Sequence, residues 1–274
     1  MMTFRSGALQ ASRLIAQNCG PVSRILYVGA NAYVKSYKNL NYDMASNGEF
    51  HLLHCLPTKG ISTIFDVGAN VGDYTSACLK RFRSEDVTIH AFEPVPATFE
   101  KLSANVTSPR VRRNAMGLSN CRQLIEINYN PHDNGSSSIV AGESLHQGHW
   151  DKIQVEVMTG DEYCAENGIQ SIDLLKIDVE GAENLVLDGF SGLLEREKIS
   201  CIQFEFGMVN IFTKFLLKDF WETLTKRGFV LGPVMPRGVV FKEYNPRDED
   251  FQGPANYFAV HGTRPELIEA VRRR

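Results

Sequence analysis

From Gly60 onward the chain alternates short apolar runs with stretches whose apolar residues recur every three or four positions. Ser62 to Val67 (STIFDV), Val87 to Phe92 (VTIHAF), Val111 to Ala115, Ile172 to Val179 (IDLLKIDV), Ile199 to Phe206 (ISCIQFEF), Phe229 to Val234 and Tyr257 to Val260 are expected strands. Between them, Asp73 to Phe82 brings Tyr74, Ala77, Cys78 and Phe82 onto one helical face. Ala182 to Leu194 does the same with Ala182, Leu185, Val186, Phe190 and Leu193. Ala97 to Val106 and Phe220 to Arg227 are two more helices. Strands alternating with helices of this length imply parallel βαβ units, hence an α/β fold with a doubly wound, mostly parallel sheet. The last two strands, joined by a Pro/Gly/Asp-rich segment, suit an antiparallel edge.

The rhythm breaks between Asn120 and Thr159. Leu124 to Tyr129 and Ile153 to Met158 read as strands. Between them runs a polar loop, Asn130 to Gly148, rich in Ser, Gly, Asn and His, of a length that marks a binding loop or a mobile insertion.

Composition narrows the function classes. The 274 residues are 43% hydrophobic, enough for a large core, and the formal net charge of -3 gives no general affinity for nucleic acid. Cys19, Cys55, Cys78, Cys121, Cys164 and Cys201 are at least 23 residues apart, so no zinc knuckle or redox pair is present. They read as mostly buried thiols of a reducing, cytoplasmic setting. No apolar run approaches the ~18 residues of a membrane-spanning helix. Residues 1–42 contain no acid and five basic residues, Arg5, Arg13, Arg24, Lys35 and Lys38. Three readings fit: a helical extension packed on the main domain, which is the expected one, an organelle transit peptide, or a basic helix touching anionic membrane. The expected organisation is an extension over 1–45, one domain over 46–262, and a short basic tail over 263–274.

Two segments carry chemistry. In Phe65-Asp66-Val67-Gly68-Ala69-Asn70-Val71-Gly72-Asp73-Tyr74-Thr75 a buried strand runs into a glycine turn and then a helix. Gly68 allows the tight turn, Gly72 lets the helix pack close to the sheet, and the helix start offers free N–H groups to an anion. The next strand ends at Phe92-Glu93-Pro94, about 20 residues further on, the interval expected for a carboxylate that binds ribose hydroxyls. An acid at Asp66 beside the turn repels a pyrophosphate and suits a ligand bearing sulfonium and ammonium groups, which points to S-adenosylmethionine. The second segment is Asp173-Leu174-Leu175-Lys176-Ile177-Asp178-Val179-Glu180-Gly181-Ala182-Glu183. It delivers Asp178, Glu180 and Glu183 to the strand's carboxyl end, where open α/β sheets bind ligands. Lys176 inside so apolar a strand needs a carboxylate partner, Asp178 or Glu205.

Taken together, FDVGANVGDYT, FEP, DLLKIDVEGAE and NYFAV resemble the FkbM-type S-adenosylmethionine-dependent methyltransferases, from about Asn47 to Val260. The resemblance implies a seven-stranded Rossmann-like fold and O-methylation of a sugar-containing or natural-product acceptor. It implies a cofactor site of Asp66, Gly68, Asn70, Gly72, Thr75, Glu93, Pro94 and Asn114, the last at the adenine, with Asp178 at its far end. It places Asp178, Glu180 and Glu183 near the transferred methyl, and it matches Ser136 to Ser138 to a serine motif of no assigned role. Asp178 or Glu180 is then the candidate general base. His132, His146 and His149 are rivals, and so is a divalent metal on Asp178 with Glu180 or Glu205, although no metal is expected. A dinucleotide-dependent oxidoreductase and a non-catalytic S-adenosylmethionine-binding protein are the competing classes. A small-molecule or glycan acceptor is the expected partner, with neither nucleic acid nor a membrane span, and at most weak contact of the amino terminus with a membrane surface.

Overall fold

A computed structural model describes residues 2–17, 20–130 and 150–274. His132, His146, His149, Ser136 to Ser138 and most of the polar loop lie outside the described residues.

The main sheet is built from β1 (Thr63–Val67), β2 (Thr88–Phe92), β3 (Val111–Asn114), β7 (Ile172–Ile177), β8 (Ile199–Glu205), β9 (Phe229–Met235), β10 (Gly238–Val239) and β11 (Asn256–His261). Its order is β10-β9-β11-β8-β7-β1-β2-β3. The five strands from β3 to β8 are parallel, as the sequence implies. Seven long strands match the expectation, and the two-residue β10 adds a short edge. The last two long strands, β9 and β11, lie at the antiparallel end of the sheet, as the sequence suits them to. β11 inserts between β8 and β9, antiparallel to both. Every residue of β7 is buried, as befits a central strand covered on both faces. The period-two alternation sorts neighbours into two cores: Phe65 packs with Phe190, Phe204 and Phe220 on one face, and Ile64 with Leu52, Cys78 and Phe258 on the other.

Helices α3 (Glu49–Cys55), α4 (Asp73–Arg81), α5 (Pro96–Asn105), α6 (Gly160–Glu166), α7 (Glu183–Gly189), α8 (Ser191–Glu195), α9 (Asn210–Thr213), α10 (Leu217–Thr225) and α11 (Pro265–Val271) surround the sheet. The single helix expected over Ala182 to Leu194 is two, separated at Phe190. The break lets Gly189 pass against the Ser119 carbonyl, where a Cβ would fall 2.0 Å away, while Phe190 is wholly buried. Within the short basic carboxyl tail, α11 buries Leu267 and Val271 completely.

The irregular stretch forms a second sheet of β4 (Gly117–Leu118), β5 (Gln123–Tyr129) and β6 (Asp151–Met158), in the order β4-β6-β5. Ile127 and Val155 bury one face of it against Val95, just beyond β2. At the amino end stand α1 (Met2–Gln17) and α2 (Pro21–Tyr37). The expected packing of this extension on the domain is not found for α2, which buries none of its residues.

Candidate active site

The chain leaves β1 on one side of the sheet, fills β2 and β3, and returns to β7 on the other side of β1. This makes a topological switch point between the carboxyl ends of β1 and β7. A cleft of about 790 Å³ opens there. The glycine turn forms its floor. Gly68 adopts φ +83°, and a Cβ on it would lie 1.8 Å from the Asp178 carbonyl oxygen, so only glycine lets the two strand ends meet. The Gly68 and Ala69 amides both donate to the Phe92 carbonyl (3.0 and 2.9 Å), and the Asp178 amide donates to Val67 (3.0 Å). The turn is thereby clamped between β2 and β7.

Glu93 closes one end. Its carboxylate accepts from the Asn70 amide (3.1 Å) and the Val95 amide (2.9 Å), which fixes the turn against the Pro94 bend. Burial pushes its carboxyl up to about 7, against the pull of those two hydrogen bonds. Glu93, Pro94, Gly68 and Asn70, four of the residues assigned to the cofactor from sequence, all line the cleft. Each Glu93 oxygen keeps a lone pair for a ligand hydroxyl.

Several expected cofactor residues lie elsewhere. Asp66 is fully buried below the turn, where the Thr75 hydroxyl donates to Oδ2 and Oδ1 has no partner. Burial raises its pKa against the opposing effects of Lys176 and Thr75. Neither Asp66 nor Thr75 is in the lining, so both support the turn from beneath. Gly72 meets the next helix rather than the sheet, since its Cβ would fall 2.5 Å from Val106 and 2.8 Å from Leu102. The lining stops short of Gly72 and Asp73, so the helix start is not part of it. Asn114 has its amide committed, donating to the Ala91 and Arg112 carbonyls and accepting from the Tyr163 hydroxyl (each 3.1 Å). The wall beside Glu93 is instead an apolar slot of Val95, Leu118, Ile127, Val155 and Val157, supplied largely by the second sheet.

The acidic run closes the other end. Lys176, 5% exposed, pairs with Asp178 at 2.6 Å and lies 5.0 Å from the Tyr74 ring centre. Of the two partners the sequence allows, the structure selects Asp178. Burial opposes ionisation of Asp178, but the Lys176 ammonium and a hydrogen bond with Glu205 outweigh it and lower the pKa. Burial and the neighbouring Asp178 and Glu180 raise Glu205 well above the carboxylate range. Of the pair, Glu205 is therefore the one that favours a proton and Asp178 the one that favours its charge. Carboxylate oxygens of Asp178, Glu180 and Glu205 come within 4.8 Å of one another, close enough to hold a divalent cation. Glu180 (φ +53°) and Asn70 (φ +50°) are non-glycine residues in left-handed conformations, and both line the cleft. Such strain concentrates at functional sites.

Glu183, expected near the reacting group, does not reach the cleft. Its carboxylate is 1% exposed and accepts from the Val179 and Gly181 amides (3.1 and 3.2 Å), holding the loop that presents Glu180. Burial raises its carboxyl to about 7. Conversely, Tyr42, Met44, Glu49 and Asn256 line the cleft without having been singled out. Glu49 is set by Asn47 (2.7 Å), Gln203 (2.6 Å) and Asn256 (3.2 Å). The Asn47-Gly48-Glu49 run, at the start of the resembling region, and the NYFAV string carry that signal, but its meaning depends on β8 and β11 lying side by side.

Among the described residues the lining holds five carboxyl groups, Glu49, Glu93, Asp178, Glu180 and Glu205, and one ammonium, Lys176. A groove of about 870 Å³ at the opposite, amino ends of β1 and β2 has the reverse charge balance, with Lys59, Lys80, Arg81 and Arg83 against one carboxyl group, Asp86.

Comparison with known proteins agrees with this geometry. The model of the FkbM methyltransferase domain matches residues 66–231, more than half of the chain. Over 166 residues the chain is 28% identical to the 31-O-demethyl-FK506 methyltransferase FkbM of Streptomyces tacrolimicus, covering 51% of this chain and 63% of that protein. Over 150 residues it is 27% identical to the hexuronic acid methyltransferase AglP of Haloferax volcanii, covering 53% and 56%. It thus spans about 60% of the length of such relatives. A solved FkbM methyltransferase from Methylobacillus flagellatus aligns with 92% of this chain and 58% of its own, at 13% identity and a TM-score of 0.45. The strand order, the glycine turn with Glu93, and the match across the whole acidic run place this chain in the FkbM methyltransferase family.

Proposed function

We propose that the protein is an S-adenosylmethionine-dependent methyltransferase acting on a hydroxyl of a sugar-containing or natural-product acceptor. The observation that carries the cofactor is the charge of the cleft. Five carboxyl groups facing one ammonium suit a ligand with a sulfonium and an ammonium group and repel a pyrophosphate, which disfavours a dinucleotide. The residues fit the group: Glu93 presents oxygens to a ribose diol, the apolar slot accepts a flat base, and glycine at Gly68 leaves the floor open. The bound cofactor would supply an electrophilic methyl group on a good leaving group.

The chain must do the rest. Aligning an acceptor oxygen with that methyl group and excluding water supplies roughly 7–11 kcal/mol. Asp178, ionised and held by Lys176, is the base nearest the switch point, and a positioned base contributes about 10²–10⁴-fold. Glu205, carrying a proton, donates to Asp178 and orients it. A hydroxyl acceptor is supported by relatives named for 31-O-demethyl-FK506 and hexuronic acid. The test is S-adenosylhomocysteine formation with a panel of hydroxylated acceptors at saturating cofactor. Asp178→Asn or Glu180→Gln should lower turnover at least tenfold with cofactor affinity retained. Unchanged turnover in both variants would remove the acids from the mechanism, and tight binding with no product on any acceptor would favour a non-catalytic protein.

A further inference from the structure

We infer that α2 is a docking element for an anionic lipid bilayer, lying in the interface rather than crossing it. A helix on the surface of a soluble domain turns its apolar side inward. Here the arrangement is reversed. In α2 the half-buried residues are Ser23, Asn31 and Lys35, whereas Val22, Ile25, Leu26, Tyr27, Tyr33 and Tyr37 are exposed, the last three by 69–74%. Arg24, Asn31 and Lys35 are spaced seven and four residues apart, which at 3.6 residues per turn gives one narrow polar stripe. Leu26 and Tyr33 lie on the opposite side. An apolar face this wide, left in water, marks a contact surface.

Charge selects the occupant. Residues 1–42 contain no Asp or Glu, so every fixed side-chain charge in the segment is positive. A second copy would set beside this segment another that carries only positive side-chain charge, with no acid in either to offset it. An anionic bilayer supplies the missing sign, and each basic residue near its surface strengthens binding roughly fivefold. Tyrosines flanking an apolar stripe are suited to the headgroup boundary. Spanning does not suit this element: 17 residues rise about 26 Å against a ~30 Å hydrocarbon core, and Arg24 and Lys35 would lie within it. Among the described residues no helix is long and apolar enough to cross a membrane.

The element is tied to the cleft. Lys38, just past α2, pairs with Asp250, and Asn39 donates to the Asn47 and Val234 carbonyls (2.7 and 3.0 Å). Tyr42 and Met44 then line the cleft, as does Met208, which is exposed alongside Ile211 and Phe212 in a second apolar patch. The segment that follows α2 and the Met208 region thus both reach the cleft, which docking of α2 would hold near the bilayer surface.

The test is flotation of the full chain with vesicles of phosphatidylcholine alone or with about 30% phosphatidylglycerol. The protein should float with the anionic vesicles only, and less as salt rises from about 0.1 to 0.5 M. Leu26→Glu with Tyr33→Glu should reduce flotation at least tenfold, and Arg24→Glu with Lys35→Glu at least fivefold. These side chains lie outside the cleft and the cores, so cofactor affinity measured on the same preparations should be unchanged in both variants. Three results would overturn the assignment: no flotation with anionic vesicles, equal flotation of the Leu26/Tyr33 variant, or light scattering showing a dimer that this variant splits.

Discussion

Glu93→Gln separates a cofactor ligand from a structural cap. Under the proposed function the carboxylate would have both jobs, and the two differ in magnitude. Its pKa rises from 4.5 to about 7, so burying its charge costs about 3 kcal/mol at about 1.4 kcal/mol per unit. The glutamine removes that cost. It also turns an NH₂ group toward either the Asn70 or the Val95 amide, and a buried unpaired donor costs about 1–3 kcal/mol. The two effects nearly cancel, so global stability should change by less than about 2 kcal/mol. Cofactor binding has no such compensation. A ribose diol would lose charge-assisted hydrogen bonds worth about 2–3 kcal/mol in sum, a 30- to 150-fold rise in Kd. Calorimetric titration with S-adenosylmethionine, alongside urea denaturation, reads both quantities. A folded Glu93→Gln protein with Kd within threefold of the parent would show that Glu93 is a cap alone.

The same carboxyl sets a pH dependence. Its pKa near 7 falls when a cofactor prefers the ionised form, so binding should be level above about pH 8 and weaken up to tenfold per unit below 7, with proton release in calorimetry at pH 6.5. Glu93 and Glu183 are both raised from 4.5 to about 7, so between those values the native protein holds protons that the unfolded chain has lost. Their contribution to stability therefore falls as pH rises through that window; a contribution rising there in parent, compared with a Glu183→Gln variant, would contradict it. Gly68→Ala should lower unfolding free energy by more than about 3 kcal/mol, because it forces both a left-handed alanine and overlap with the Asp178 carbonyl; an unchanged denaturation midpoint would refute the clamp. Thr75→Val should cost about 1–3 kcal/mol by stranding the Asp66 carboxyl, with little change in cofactor affinity. The opposite pattern would return Thr75 to the cofactor site.

The parallel half of the sheet was legible because buried strands and amphipathic helices have distinct periods, and the interval from Gly72 to Glu93 spans one βα unit. Position at a strand end, however, does not say whether a side chain looks into the cleft or beneath it. Asp66, Thr75, Asn114 and Glu183 fall where their motifs suggest, yet the hydrogen bonds they make go to the turn, the sheet and a loop, and none of them lines the cleft. The apolar slot was hidden because Val95 and Val157 are distant in sequence and meet only when the second sheet closes. Helix α6 could have been found: Thr159 and Glu162 form a capping box, with Thr159 accepting from the Glu162 amide at 3.1 Å. The orientation of α2 was not readable, since an apolar stripe looks the same whether it faces a core or a lipid.

A crystal structure with S-adenosylhomocysteine tests the cofactor assignment most directly. The account predicts both ribose hydroxyls within hydrogen-bond distance of Glu93, the base between Val95 and Val157, and the sulfur directed toward Asp178. A thioether nucleoside bound away from the Gly68 floor, or a cleft that takes a phosphorylated dinucleotide in its place, would contradict it.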